Sequence, residues 1–285
     1  MVIKSLEGIP FEALHAASMA AFADYVEPFS LSVSQLRHLL ERRGFNQALS
    51  FGAFADGEIA GFTMNGLGDW EGVPTAYDCG TAVRKEFRSL GIATGLFESF
   101  LPELQGHGIH RYLLEVIRTN TRAVRLYEKL GFAVSREFDY WVASPDAVKT
   151  ERAVALTGLN IDEIDAPDWV ALRRLWDYSP SWQNSIDSVM RKREHFTFAG
   201  VRHEGAVVAY ACMENKTGDL AQLAVHPAYR RRGLATSLVG HLLVGIQPPE
   251  FRVTNTLSGH QPTRAFLHAL GLEPGYGQLE MTLDL

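Results

Sequence analysis

Two short segments of this 285-residue chain share the pattern Arg-x-x-Gly-x-Ala: Arg88, Gly91 and Ala93, then Arg230, Gly233 and Ala235. Each sits between an apolar strand-like run and a helix-like run. Small residues at such a junction let the backbone bend closely around a ligand. The first helical turn then presents unpaired N–H groups and the positive end of the helix dipole. That combination suits an anion, and a pyrophosphate is a natural occupant. A single copy reads equally well as a tight turn beside a solvated Arg; two copies in matched surroundings point to function. Neither copy has the Gly-x-Gly-x-x-Gly of a dinucleotide site or the Gly-Lys-Ser/Thr of a P-loop, so nicotinamide and nucleoside-triphosphate chemistry are set aside.

Near the first loop lie groups able to move protons. Tyr127 falls on an amphipathic helix beside Leu126 and Leu130, and Glu115 ends an apolar strand 12 residues earlier. A Tyr holds its proton at neutral pH, with a reference pKa of about 10 that is not far above a thiol's. A carboxylate whose pKa is raised by burial can take a proton from an ammonium group directly or through water. Asp78 competes with Glu115 for that task. The plainer readings are a core Tyr with its hydroxyl at the edge and a carboxylate in a salt bridge.

Comparing the chain with itself shows which elements must hold these groups. A helix-like stretch ends in Asp24-Tyr25 in the first half and in Asp177-Tyr178 in the second. Hairpin patterns follow, LSFGAFADGEIAGF with an Asp56-Gly57 turn and HFTFAGVRHEGAVVAY with a Glu204-Gly205 turn. Then come a strand, the Arg/Gly loop, a helix, a further strand (Arg111 to Val116; Phe251 to Thr254), another helix and a Leu-Gly turn at 130–131 or 270–271. Five elements in the same order imply duplication. The expected fold is α/β, with two tandem domains that each place a central mixed, mostly antiparallel sheet between helices. The expected limits are residues 1–143, a linker over 144–151 that contains Pro145, Asp146 and Lys149, and residues 152–285.

The strand Thr81-Ala82-Val83, the loop Arg88 to Ala93, the strand LLEV and the series Asn120-x-x-Ala123-x-x-x-Tyr127-x-x-x-Gly131-Phe132 together resemble the acyl-CoA-binding core of the GNAT N-acetyltransferases. The likeness covers most of Asp78 to Phe132 and returns from about Gln222 to Leu272. It implies acetyl-CoA as cosubstrate, with no metal, and an amine acceptor, either a small molecule or a peptide. It also implies residue roles. Backbone N–H groups near Ala82 and Val83 would polarise the thioester carbonyl. Amides of Leu90, Gly91, Ile92, Ala93 and Thr94 would hold the pyrophosphate. Asn120 would bond the pantetheine arm, and Tyr127 would protonate the departing thiolate. Glu115 matches a general base of members that acetylate protein amino termini; Asp78 remains the alternative.

Counting back from Gly271 by the intervals that lead back from Gly131 puts Leu267 where Tyr127 stands, His260 for Asn120 and Asn255 for Glu115. The second half is therefore expected to keep the anion loop at Arg230, Gly233 and Ala235 while being catalytically silent. A different class of reading is an acyl-CoA-binding sensor or scaffold without turnover, against which the intact Asn120/Tyr127 pair argues. Acceptor contacts are expected from Asp24 to Phe29, from Asn65 to Ala76, where Trp70 between Asp69 and Glu71 can hold a cation or simply pack, from Asp139-Tyr140-Trp141, and from Pro180 to Asn184.

Composition narrows the partners. A formal charge of −6 with no basic face disfavours nucleic acid. Cys79 and Cys212 form neither a CxxC pair nor a zinc spacing with His, in keeping with a reducing, cytoplasmic setting. No export signal or run of 18 apolar residues is present, so no membrane partner is expected.

Overall fold

The computed structural model describes residues 1–25, 30–150 and 160–285. Glu151, the last residue of the expected linker, and the start of the expected second domain as far as Leu159 lie outside the described residues, as do Val26 to Phe29 of the expected acceptor segment. The chain is a mixed α/β protein that divides into two compact units, residues 1–136 with 279–285, and residues 137–278.

In the first unit the elements run β1 (Val2–Ser5), α1 (Phe11–Ala21), α2 (Val33–Arg42), β2 (Phe45–Ala55), β3 (Glu58–Trp70), β4 (Val73–Val83), α3 (Ile92–Gly106), β5 (Arg111–Ile117), α4 (Thr121–Lys129) and the start of β6 (Ala133–Ala143). Local chemistry accounts for their ends. Ser32 and Gln35 form a capping box on α2, and Asn120 caps α4 by accepting from the Ala123 amide. The Asp56-Gly57 turn has both residues at positive φ, 51° and 85°, as the tight antiparallel hairpin of β2 and β3 requires.

Strands β1 to β4 pair antiparallel, and β4 pairs with β5 parallel. That parallel ladder holds at Thr75, Ala76 and Tyr77 against Arg111, Tyr112 and Leu113. Past those residues β4 runs on to Val83 and β5 to Ile117, and the strands splay. A bulge lies where the splay begins. The β3/β4 register steps from Met64↔Gly80 to Asn65↔Asp78, so Cys79 is the extra residue.

The second unit holds the rest of β6, then β7 (Ile161–Glu163), α5 (Trp169–Arg173), α6 (Ile186–Met190), β8 (Phe196–His203), β9 (Ala206–Glu214), β10 (Leu220–Val225), α7 (Leu234–Ile246), β11 (Phe251–Leu257), α8 (Gln261–Ala269) and the first part of β12 (Pro274–Asp284). Four strands pair in the order β10-β9-β8-β7. Glu204 and Gly205, at φ 51° and 82°, repeat the first hairpin turn. The parallel β4/β5 contact has as its counterpart a single bridge, Asp219↔Arg252.

The units are not the two linear halves, because each is finished by a strand end that comes from the far side of the sequence. In the first unit Met281 is fully buried among Phe100, Tyr112 and Val116, and Glu280 accepts from Arg136 Nε and Nη2 at 2.8 and 2.6 Å. In the second, residues 138–143 of β6 pair with β11, and the fully buried Trp141 donates from its indole to Thr256 at 2.8 Å. Met281→Ala should therefore destabilise the first unit by about 2–4 kcal/mol, seen as a lower urea midpoint.

Candidate active site

A cavity of about 420 Å³ opens in the first unit where β4 and β5 diverge. Its wall joins four stretches: the end of α1 with Phe22, Asp24 and Tyr25; Thr81 to Val83 of β4; the loop and first turn of α3; and Asn120, Arg122, Ala123, Leu126 and Tyr127 around α4. Of the residues singled out from the sequence, Ala82, Val83, Arg88, Gly91, Ile92, Ala93, Thr94, Asn120 and Tyr127 all line it. Leu90 does not; its side chain is 65% exposed.

The loop has the conformation an anion site needs. Gly91 caps α3 at φ 76° with no side-chain bond to the first helical amides, and Ser89 is also left-handed at φ 67°. The first intrahelical bond is Gly95 N to Gly91 O, so the opening amides of α3 lack a helical acceptor, and Gly91, Ile92, Ala93 and Thr94 line the cavity. A β-carbon built on Gly91 would meet no atom within 4 Å, so the space beside it is open. The second loop repeats these angles, with Gly233 at φ 81° and Arg231 at φ 63°.

Arg88 behaves differently from a free phosphate ligand. Its Nη1 and Nη2 donate to Asp24 at 2.7 and 2.6 Å, Nη2 also to Ala21 O, and Nε to Val83 O at 3.0 Å. The Arg88 guanidinium holds the Asp24 carboxyl below its ordinary range. Arg230 repeats the arrangement, donating to Val225 O at 2.9 Å and to Asp177 at 2.8 Å. Both Arg residues therefore brace the loop against the end of the first helix. The retained Asp-Tyr pairs ahead of each Arg/Gly loop were the sequence signal for this partnership. Arg122 escaped sequence reading; it lines the cavity mouth with its guanidinium 3.4 Å from Ser89 Oγ.

Tyr127 packs edge-on against Phe97 and Phe132 and is 7% exposed. Its hydroxyl has no hydrogen-bond partner among the described residues. Burial raises its pKa well above 10, with the Asp78 charge adding to the effect, so the phenol stays protonated across the physiological range. Asn120 lies two helical turns earlier on the same face. Its Oδ1 caps α4 at 3.3 Å from Ala123 N, which leaves its amide donors for a ligand.

The two carboxylates occupy different surroundings. Glu115 alternates with Leu114 and Val116 of the core, and its Oε2 accepts from the hydroxyl of the buried Tyr77 at 3.1 Å. Asp78 is on the bulge. Its Oδ1 accepts from Gly80 N and its Oδ2 from Thr81 Oγ1, both at 2.8 Å. Burial pushes the Asp78 carboxyl up to about 6, against those hydrogen bonds and the pull of Arg43. Arg43 itself donates to Cys79 O at 2.9 Å, which satisfies the bulged carbonyl. Neither carboxylate lines the cavity; Thr81 does.

In the remaining expected acceptor segments several of the named side chains are buried. The Trp70 ring is 7% exposed and lies under the guanidinium of Arg136, 5.4 Å away, so the packed reading of that loop holds. Asp139 is buried in the second unit, bonded to Ser258 and Arg264. Ser181, Trp182 and Asn184 are buried there as well.

In the second unit Leu267 is 1% exposed and Asn255 donates to Ser181 Oγ at 3.2 Å. His260 meets Thr263 Oγ1 at 2.8 Å, with its Nε2 3.6 Å from Asp177. No proton-donating hydroxyl replaces Tyr127 at the Leu267 position.

A family description for acetyltransferases of the GNAT type matches the chain twice, over residues 15–132 and 159–274. The chain belongs to the GNAT acetyltransferase family. The duplication read from the sequence is thus a tandem of two GNAT domains. A mycothiol acetyltransferase of Streptomyces avermitilis is 34% identical over 118 residues, 41% of this chain and 38% of that protein. An N-alpha-acetyltransferase of Sulfurisphaera tokodaii is 33% identical over 95 residues, 30% of this chain and 57% of the other. The chain thus spans about two fifths to three fifths of the length of these curated relatives. In fold, a tandem GNAT protein from the clavulanic acid biosynthesis pathway superposes with a TM-score of 0.73 at 15% identity, covering 99% of this chain and 98% of that one. Among the described residues no helix is long and apolar enough to cross a membrane, no three His, Cys, Asp or Glu side chains are grouped to hold a metal, and both Cys are free and buried.

Proposed function

We propose that the first unit transfers an acetyl group from acetyl-CoA directly to a primary amine of a small molecule or peptide, and that the second unit is catalytically silent. One observation carries the reading: a single cavity joins the amide-rich start of α3 to the protonated Tyr127 and, through Thr81, to Asp78. The start of α3 would take the pyrophosphate, and Asn120 the pantetheine arm. Past Tyr77 the edge of β4 faces the cavity rather than β5; the register with β3 turns the Ala82 N–H toward β3 and the Val83 N–H toward that free edge, where it is available to the thioester oxygen.

Chemistry then follows from the proton inventory. Asp78 takes one proton from the ammonium form of the acceptor. The neutral nitrogen attacks the thioester carbon, a C–N bond forms, and the C–S bond breaks. Tyr127 gives its proton to the thiolate, and the second proton lost by the nitrogen restores the phenol. Asp78 is preferred over Glu115 because its carboxyl connects to the cavity through one hydroxyl and is poised near 6. Glu115 is the alternative base, favoured by its bond to Tyr77 beside the splay.

Free CoA release over a panel of amines and peptides tests the reading, since a pure acyl-CoA sensor releases none. A pH series tests the base. With Asp78 as base, kcat/KM rises with pH through about 6, and that limb is missing in Asp78→Asn. The same shift has a stability consequence. Between the ordinary value of 3.8 and about 6 the folded protein holds a proton that the unfolded chain has lost, so stability falls as pH rises through that window. Asp78→Asn should therefore melt higher than wild type at about pH 7.5 while being less active, with the difference gone by about pH 4.

A further inference from the structure

We propose that Thr81 is a proton relay whose hydroxyl carries the acceptor's proton to Asp78. The proposal rests on the assignment of Asp78 as base.

It begins with the bulge. In a regular strand, residues 78 and 81 would point to opposite faces, because side chains alternate with a period of two. The extra residue at Cys79 resets that alternation and brings the two side chains together, with Thr81 Oγ1 donating to Asp78 Oδ2 at 2.8 Å. The result divides the labour. Asp78 is withdrawn from the cavity wall and held on its other oxygen by Gly80 N, while Thr81 is part of that wall. The buried Thr63 hydroxyl lies 3.1 Å from Thr81 Oγ1 and fixes its rotamer from behind. Thr81 Oγ1 has one proton and two acceptors in reach, Asp78 Oδ2 at 2.8 Å and Thr63 Oγ1 at 3.1 Å; the shorter bond, to the charged carboxylate, takes the proton, and Oγ1 presents a lone pair to an incoming ammonium group.

The transfer balances. One ammonium N–H bond breaks as an O–H bond forms at Thr81, and the original Thr81 O–H bond breaks as one forms at Asp78 Oδ2. The amine becomes neutral, Asp78 becomes the carboxylic acid, and Thr81 ends as it began. After product leaves, Asp78 returns its proton to solvent by the same route. The charge acting on Asp78 is that of Arg43 after α2, while the Asp78 charge in turn acts on Tyr77 of β4, Tyr112 of β5 and Tyr127 of α4. Among these, only Tyr127 shares the cavity wall with Thr81.

The test is kcat/KM for the best amine found in the acceptor panel, measured by CoA release across pH in wild type, Thr81→Val, Thr81→Ala, Thr81→Ser, Asp78→Asn and the Asp78→Asn/Thr81→Val double variant. A relay predicts that Thr81→Val and Thr81→Ala lose about tenfold or more. It also predicts that the limb near pH 6 vanishes in both, that the double variant is no worse than Asp78→Asn, and that Thr81→Ser restores rate and limb. Melting curves for each variant check folding, and Thr81→Ala serves if the valine is not accommodated. A merely tuning hydroxyl would leave the limb in place but shifted to higher pH, because Asp78 would have lost a donor; that result overturns the relay. Full activity in Thr81→Val beside a defective Asp78→Asn overturns the relay alone, whereas full activity in Asp78→Asn removes the base assignment with it.

Discussion

Tyr127→Phe is expected to lower kcat by about 10²–10³ while leaving the affinity for acetyl-CoA nearly unchanged. The ring is buried against Phe97 and Phe132, and a phenylalanine keeps that packing. Only the hydroxyl is removed, and it holds no other residue in place. What disappears is the proton for the departing thiolate, so the loss falls on the chemical step. Single-turnover release of free CoA, followed by thiol titration beside calorimetric binding of acetyl-CoA, separates the two effects. An unchanged rate would remove Tyr127 from its assigned role.

Gly91→Glu should weaken acetyl-CoA binding by about 100-fold or more, for two reasons that can be separated. At φ 76° a side chain brings left-handed strain of about 1–2 kcal/mol. The added carboxylate also enters the open space at the start of α3, where it takes up the amides and repels a pyrophosphate. Gly91→Ala carries the strain without the charge and should lose far less. Calorimetry on Gly91→Glu, Gly91→Ala and Gly233→Glu distinguishes the sites. One acetyl-CoA per chain, lost in Gly91→Glu and kept in Gly233→Glu, is the expected pattern. Two per chain, with one lost in each variant, would show that the second loop also binds.

Much of this site was legible because its parts are local. A positive φ at the second residue of a hairpin turn calls for glycine, so Asp56-Gly57 and Glu204-Gly205 announced their turns. Gly91 and Gly233 announced helix starts in the same way. Asn120 and Tyr127 are seven residues apart, two turns of a helix, so their convergence on one wall follows from periodicity alone. Repetition of the order of elements then made the tandem architecture readable without any long-range information.

Other features depend on pairings that no local pattern contains. Arg88 spends its guanidinium on Asp24, 64 residues away, and the loop motif by itself reads as a free cation. The segment 279–285 completes the first unit and residues 137–143 the second, since an alternating apolar strand is compatible with many partners and only core packing selects one. The bulge at Cys79 depends on register against β3, and it is what joins Asp78 to Thr81. The kinds of residue proposed for acyl transfer and their order along the chain could thus be read from the sequence, because turn chemistry and helical periodicity act over a few residues. Which carboxylate is connected to the cavity, and which arginine braces rather than binds, were decided by strand register and side-chain pairing across the folded unit.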